Sequence, residues 1–248
     1  MPNLAAHIDL AHEAAKRLAH PTLEAHMGCF LFGSTSPDIR VITRRTRKEY
    51  HFTQLDFESV GAGVKGLFKS HPDLITSSNH DGQTQAFICG YITHLLVDES
   101  WIVEMFRKYF GNSDVFEDDV LGKVMDRAPQ LELDRQCNGM VNNIQSLQEV
   151  AVDGIKIGFI PSETLTEWRD WVVTSLGREF SWERLRFMAG RISGGDENHP
   201  AHALAEEFVQ GAPQSLEDVY EYIPRRSLSD YREQTIEELV RRVGDYLQ

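Results

Sequence analysis

The sequence predicts an all-α protein, and three observations predict it. Apolar residues recur at three- and four-residue steps along nearly the whole chain, the period of one helix face. Strand-like stretches are few, the clearest being residues 155–160, and they never form an alternating series. Breaks fall at residues that end helices: Gly33, His71-Pro72 and the Gly194-Gly195 loop.

Asn3 is placed to cap a first helix over 4–18, whose face is Leu4, Ile8, Ala11, Ala15 and Leu18. A second is expected over 22–32, stopping at Gly33. The loop Gly33-Ser34-Thr35-Ser36-Pro37-Asp38 and the basic stretch Arg44-Arg45-Thr46-Arg47-Lys48 follow. A short helix over about 55–69 precedes His71-Pro72. The longest signal starts at Asp81 or Gly82 and runs to about Phe110, with Phe87, Tyr91, His94, Leu95, Asp98, Ile102 and Met105 in helical register. Further helices are expected over 115–127, 131–152, 162–176, 182–192, 201–209, 216–222 and 229–247. The chain is read as one multi-helix domain over 1–248, with 111–248 a helical remainder behind the motif-bearing 1–110.

At roughly 150 residues per domain, 248 residues allow one or two domains. A hydrophobic share of 41% and a charged share of 25% are globular values. Acidic residues outnumber basic ones 38 to 25, a formal charge of −13. This argues against a Lys/Arg-lined groove for a nucleic-acid duplex and against electrostatic adhesion to anionic lipid. Ten histidines leave metal chemistry open. Cys29, Cys89 and Cys137 are odd in number and form no CxxC, so buried reduced thiols are expected. The N-terminal residues have neither a basic n-region nor an apolar h-region, and no apolar run approaches the ~18–20 residues of a span. A cytoplasmic protein without a transmembrane segment is expected.

His94 and Asp98 are the most informative pair. Four apart in the apolar run Gly90-Tyr91-Ile92-Thr93-His94-Leu95-Leu96-Val97-Asp98, they share one helix face and both point into the core. A buried carboxylate needs a partner, which a His–Asp hydrogen bond or a metal ion supplies. One pair does not close a metal site, since zinc takes about four ligands. Asp38 after Pro37 is a ligand candidate or a turn former. His51, between Tyr50 and Phe52, is a ligand or a packed histidine, and His7 lies beside the face of the first helix.

Taken together these residues resemble the zinc-dependent phospholipase C family, which shares an all-helical fold with S1/P1-type nucleases. The resemblance rests on Ala5-Ala6-His7-Ile8, Phe32-Gly33-Ser34-Thr35-Ser36-Pro37-Asp38, His51-Phe52 and the GYxxHLxxD run over 90–98, in the family's order. It implies a phosphoester hydrolase with two or three Zn2+ ions, or Mn2+ or Fe2+, in which metal-bound hydroxide attacks phosphorus. Asp38, His51, His94 and Asp98 are implied to hold the first ion, and Asp98, with His7, a second. Asp38 and Asp98 are thereby the catalytic carboxylates. Glu104 stands where the family has a histidine, and His202 with Glu206 has the His-x-x-x-Glu form of the remaining site.

Arg44, Arg45 and Arg47 read as a solvated loop or as a phosphate-recruiting rim, and Trp101, one turn past Asp98, as a cleft-lining residue. His80-Asp81-Gly82 contains an HD dipeptide but reads as a turn and helix start. The expected substrate is a phospholipid or a small soluble phosphoester. The alternative from another class is a non-catalytic or diverged helical metal-binding protein using the same cluster.

Overall fold

The computed structural model describes residues 2–137 and 141–248, and no strand occurs among them. The α-helices are α1 (Leu4–Leu18), α2 (Pro21–Ala25), α3 (Met27–Gly33), α4 (Arg40–Thr43), α5 (Arg47–His51), α6 (Ala62–Ser70), α7 (Gly82–Ser100), α8 (Asp119–Gln136), α9 (Val141–Gln148), α10 (Ser162–Leu176), α11 (Arg184–Ile192), α12 (Ala201–Gly211), α13 (Leu216–Tyr222) and α14 (Ser227–Leu247). A 3₁₀ turn over Ser36–Ile39 joins α3 to α4, and a π-helical stretch over Trp101–Phe110 prolongs α7.

The spine is α7. Every residue from Ala86 to Ser100 is buried, because α1, α3, α6 and α14 pack around it. Over Gly82–Phe110 the helix is apolar and long enough to cross a membrane, which corrects the expectation that no run approaches that length; 94% of its apolar window is buried inside the fold, as in a core helix. Asp81, expected to start it, caps it: its carboxylate accepts from Thr84 N at 2.8 Å.

Against α7 lies α3, and the contact is backbone on backbone. A methyl group at Gly33 would overlap the Phe87 carbonyl, and one at Gly90 would overlap the Phe30 carbonyl. These glycines open the two motifs read in the sequence, so each motif begins where its helix touches the other.

Several boundaries differ from expectation, each with a physical reason. The helix over 22–32 is split at His26, whose backbone (φ −128°, ψ 37°) is not helical. The helix over 55–69 begins only at Ala62. Before it, Arg107 donates to the carbonyls of Leu55 and Phe57, and Glu99 caps the helix start, accepting from the N–H groups of Gly61, Ala62 and Gly63 at 2.5, 3.0 and 2.5 Å. Instead of breaking at Pro129, α8 runs through it, packed by α1, α11, α12 and α13. The expected helix over 131–152 includes residues 138–140, which lie outside the described residues. Residues 155–160 bury Ile155, Ile157 and Ile160 without forming a strand. Asn3 sits at the N-cap of α1, but its side chain makes no capping bond; Asp134 of α8 accepts from Ala6 N at 3.3 Å and from Asn3 Nδ2 at 2.9 Å. None of Cys29, Cys89 and Cys137 forms a disulfide; the first two are buried and Cys137 is half-buried.

Candidate metal centre

Four elements converge on Asp98. His7 comes from the first turn of α1, Asp38 from the 3₁₀ turn after α3, His51 from the last residue of α5, and His94 and Asp98 from α7. His7 Nε2 lies 3.4 Å from Asp98 Oδ1; His51 Nε2 and His94 Nε2 lie 3.2 and 3.8 Å from Asp98 Oδ2. Asp38 Oδ1 is 3.9 Å from His51 Nε2. The His7 and His94 rings stack with centroids 3.9 Å apart.

The motif residues hold these donors in place. His94 Nδ1 is 2.8 Å from the Ser34 carbonyl, which only accepts, so Nδ1 carries the proton and Nε2 presents its lone pair to the cluster. Tyr91 donates from its hydroxyl to the Tyr50 carbonyl at 2.6 Å, pinning α5 to α7 beside His51. The short α5 is itself specified locally: Glu49 accepts from Thr46 N and Thr46 Oγ1, both at 3.0 Å, as in a capping box. Its first and last residues, Arg47 and His51, are four apart and both reach Asp98, Arg47 Nη2 at 2.9 Å from Oδ2.

Burial sets the protonation states. It is the main cause that lowers the pKa of His51 and takes that of His94 well below the ordinary imidazole value, so both are neutral near pH 7. Burial alone would raise Asp98, but the Arg47 guanidinium and the neighbouring imidazoles outweigh it and hold Asp98 well below the usual carboxylate range. His51 and His94 are thus neutral beside an ionised carboxylate, the state in which such groups bind a divalent ion.

The donor set fits such an ion. Both ring nitrogens of His7, both of His51 and Nε2 of His94 are shut from solvent without a hydrogen-bond partner, which is costly unless something satisfies them. His7, His94 and Asp98 each offer a ligand atom within 4.8 Å of the others, as do Asp38, His51 and His94. Zinc–nitrogen bonds of ~2.0–2.1 Å place tetrahedral donors about 3.4 Å apart. The separations of 3.2 to 3.9 Å bracket that edge.

The other site residues read from the sequence are placed elsewhere. Glu104 is exposed on the π-helical stretch, where an α-helical register no longer applies. His202 Nε2 lies 3.1 Å from the Asp196 carbonyl, and Glu206 is paired with Arg186 at 2.6 Å; neither joins the cluster. Trp101 is fully buried rather than set on a cleft wall, its indole N–H on Asp126 at 2.8 Å. Arg44 and Arg45 are exposed, Arg45 against Glu49, whereas Arg47 turns inward. Two surface cavities, one beside Asp9 and Arg232 and one beside Trp182, contain none of the donors. The open side of the cluster is at Asp38 and Arg47, whose side chains are 26% and 12% exposed.

Sequence reasoning did not find the inward Arg47, the Ser34 carbonyl or Asp134. A signal for Arg47 was present: the Thr46-x-x-Glu49 box starts a helix that sets Arg47 and His51 four apart.

The family model described as zinc dependent phospholipase C matches residues 6–101. Neither curated proteins nor solved structures give a match. The matched stretch contains His7, Asp38, His51, His94 and Asp98, so the part of this chain that builds the candidate metal centre is similar in sequence to the zinc-dependent phospholipase C family.

Proposed function

We propose that this protein is a metal-dependent phosphoester hydrolase acting on a phospholipid or a small soluble phosphoester. The observation that carries the reading is the set of buried, unpartnered imidazole nitrogens gathered around ionised Asp98. Asp38, His51, His94 and Asp98 would hold one ion, and His7 with Asp98 a second. A divalent ion there, zinc by the family resemblance, supplies Lewis-acid polarisation of a phosphoryl oxygen and a lowered pKa for water. The chain's own residues supply the rest. The Ser34 carbonyl keeps the His94 tautomer fixed, Arg47 orients Asp98 through Oδ2, and the buried rings keep bulk water from the cluster. Asp38, the more exposed of the two carboxylates, would be the one to meet substrate.

The burial of His7, His51, His94 and Asp98 favours a second reading, a helical protein whose closed metal site is structural. Activity separates the two. Hydrolysis of an aryl phosphodiester that chelator abolishes, that added Zn2+ or Mn2+ restores, and that Asp38→Ala loses supports the enzyme. Full metal occupancy without activity on lipid, nucleotide and aryl esters supports the structural site.

A further inference from the structure

Asp98 Oδ2 is approached by two kinds of group. His51 Nε2 and His94 Nε2 face it at 3.2 and 3.8 Å, so an ion shared by those rings would take this oxygen as a ligand. Arg47 Nη2 donates to the same oxygen at 2.9 Å. A zinc–carboxylate bond of ~2.0–2.2 Å would put the ion within about 5 Å of that guanidinium nitrogen. Arg47 is the member of the basic run turned this way: Arg44 and Lys48 are exposed, and Arg45 is paired with Glu49. Local structure fixes it there, because the Thr46–Glu49 box starts α5 at Arg47 and the helix ends one turn later at His51.

Two cations on one carboxylate oxygen repel each other. Imidazole ligands add no charge, so a single divalent ion together with Arg47 outweighs Asp38 and Asp98 by one positive charge, and a second ion widens the excess. The excess would lie on the side where Arg47 and Asp38 are partly exposed, in a protein whose formal charge is −13. A site that only stored an ion would be weakened by a fixed cation against its ligand oxygen. A site that takes an ion together with an oxyanion would not, because the anion neutralises both, and a guanidinium offers forked donors that match phosphate oxygens.

We propose that Arg47 is a phosphate-binding residue of the metal centre: it holds one oxygen of a phosphoryl group while the ion holds another, so that ion and phosphate bind cooperatively. The inference rests on the reading of the centre as a phosphoester site. The phosphoryl group has two sources, a soluble ester or a lipid headgroup.

The test is zinc affinity measured by competition with a chromophoric chelator, with and without millimolar inorganic phosphate, in wild type and Arg47→Gln. Phosphate is expected to tighten zinc binding about tenfold in the wild type and less than about twofold in the variant, which without phosphate binds zinc about tenfold more tightly than wild type. Where the variant folds only with zinc, calorimetric titration of the loaded proteins with phosphate decides: about tenfold weaker binding in the variant is expected, and equal binding overturns the proposal. Coupling of equal size in both proteins overturns the role of Arg47 and leaves the phosphoester reading standing. Zinc binding that phosphate changes in neither protein overturns the role of Arg47 and favours the structural metal site. Zinc binding by neither protein removes the metal centre, and the proposal with it. Phenyl phosphate and micelles of a short-chain phosphatidylcholine assign the source. Tightening by the aryl ester alone, dependent on Arg47, assigns a soluble substrate, and tightening by the micelles assigns a lipid. Tightening by inorganic phosphate but by neither ester overturns Arg47 as a substrate-binding residue.

Discussion

Arg47 Nη2 lies 2.9 Å from Asp98 Oδ2, so the carboxylate at the heart of the metal cluster is also one half of a nearly buried ion pair. The chain has set a permanent cation against a carboxylate that also faces three imidazoles. Asp98 is held ionised by its protein neighbours alone, so the charge of the candidate metal cluster is set before any ion binds.

Replacing Arg47 by Met leaves that buried charge uncompensated. Removing one partner of a buried pair costs about 3–5 kcal/mol. The expected outcome is a loss of that order in urea unfolding of chelator-treated protein and a clearly smaller loss with Zn2+ present, because the ion takes over the compensating charge. An equal loss in both states would show that Arg47 does not act through Asp98.

Gly90→Ala tests the helix contact that aligns the cluster. The added methyl meets the Phe30 carbonyl, backbone that cannot swing aside. Overpacking of this kind costs about 1–3 kcal/mol, partly offset by the ~1 kcal/mol better helix propensity of alanine. Pushing α3 away also lengthens the 2.8 Å contact between Ser34 O and His94 Nδ1. Lower stability together with weaker zinc affinity is expected; unchanged zinc affinity would separate the glycine contact from the site.

Asp134 gives a pH dependence with a defined sign. Burial is the main cause that raises its carboxyl to about 6, while Asn3, Arg184 and the Ala6 N–H oppose it. A carboxyl whose folded pKa exceeds its unfolded value of about 3.9 stabilises fully below that value, and the contribution fades as pH rises through about 6. Asp134→Asn cannot titrate. Relative to the variant, metal-free wild type is therefore expected to lose about 2–3 kcal/mol between pH 4 and pH 8. Parallel stability curves over that range would show that Asp134 is solvated.

How much of this was legible follows from the range of the interactions. The limits of α1, α10 and α13 coincide with the expected ones because local periodicity marks them, although the group that caps α1 is distant. His94 and Asp98 were legible because their spacing is intrahelical, whereas their convergence with His7, Asp38 and His51 was visible only through the family pattern. What failed was long-range. Glu99 caps the N-terminus of α6 from 36 to 38 residues away, and Asp134 caps α1 from 128 residues away. Arg47 was read with its charged neighbours as a solvated loop or rim, when its partner lies 51 residues on.

The most direct measurement is the zinc content of untagged protein, wild type against Asp98→Asn. The substitution keeps the side-chain shape and removes the charge on which His7, His51, His94 and Arg47 converge. The account predicts stoichiometric metal in the wild type, retained below pH 6.5 because burial keeps His51 and His94 neutral there, and loss of most of it in the variant. Wild-type metal content in folded Asp98→Asn would contradict the account and leave Asp98 an ion-pair partner of Arg47 alone.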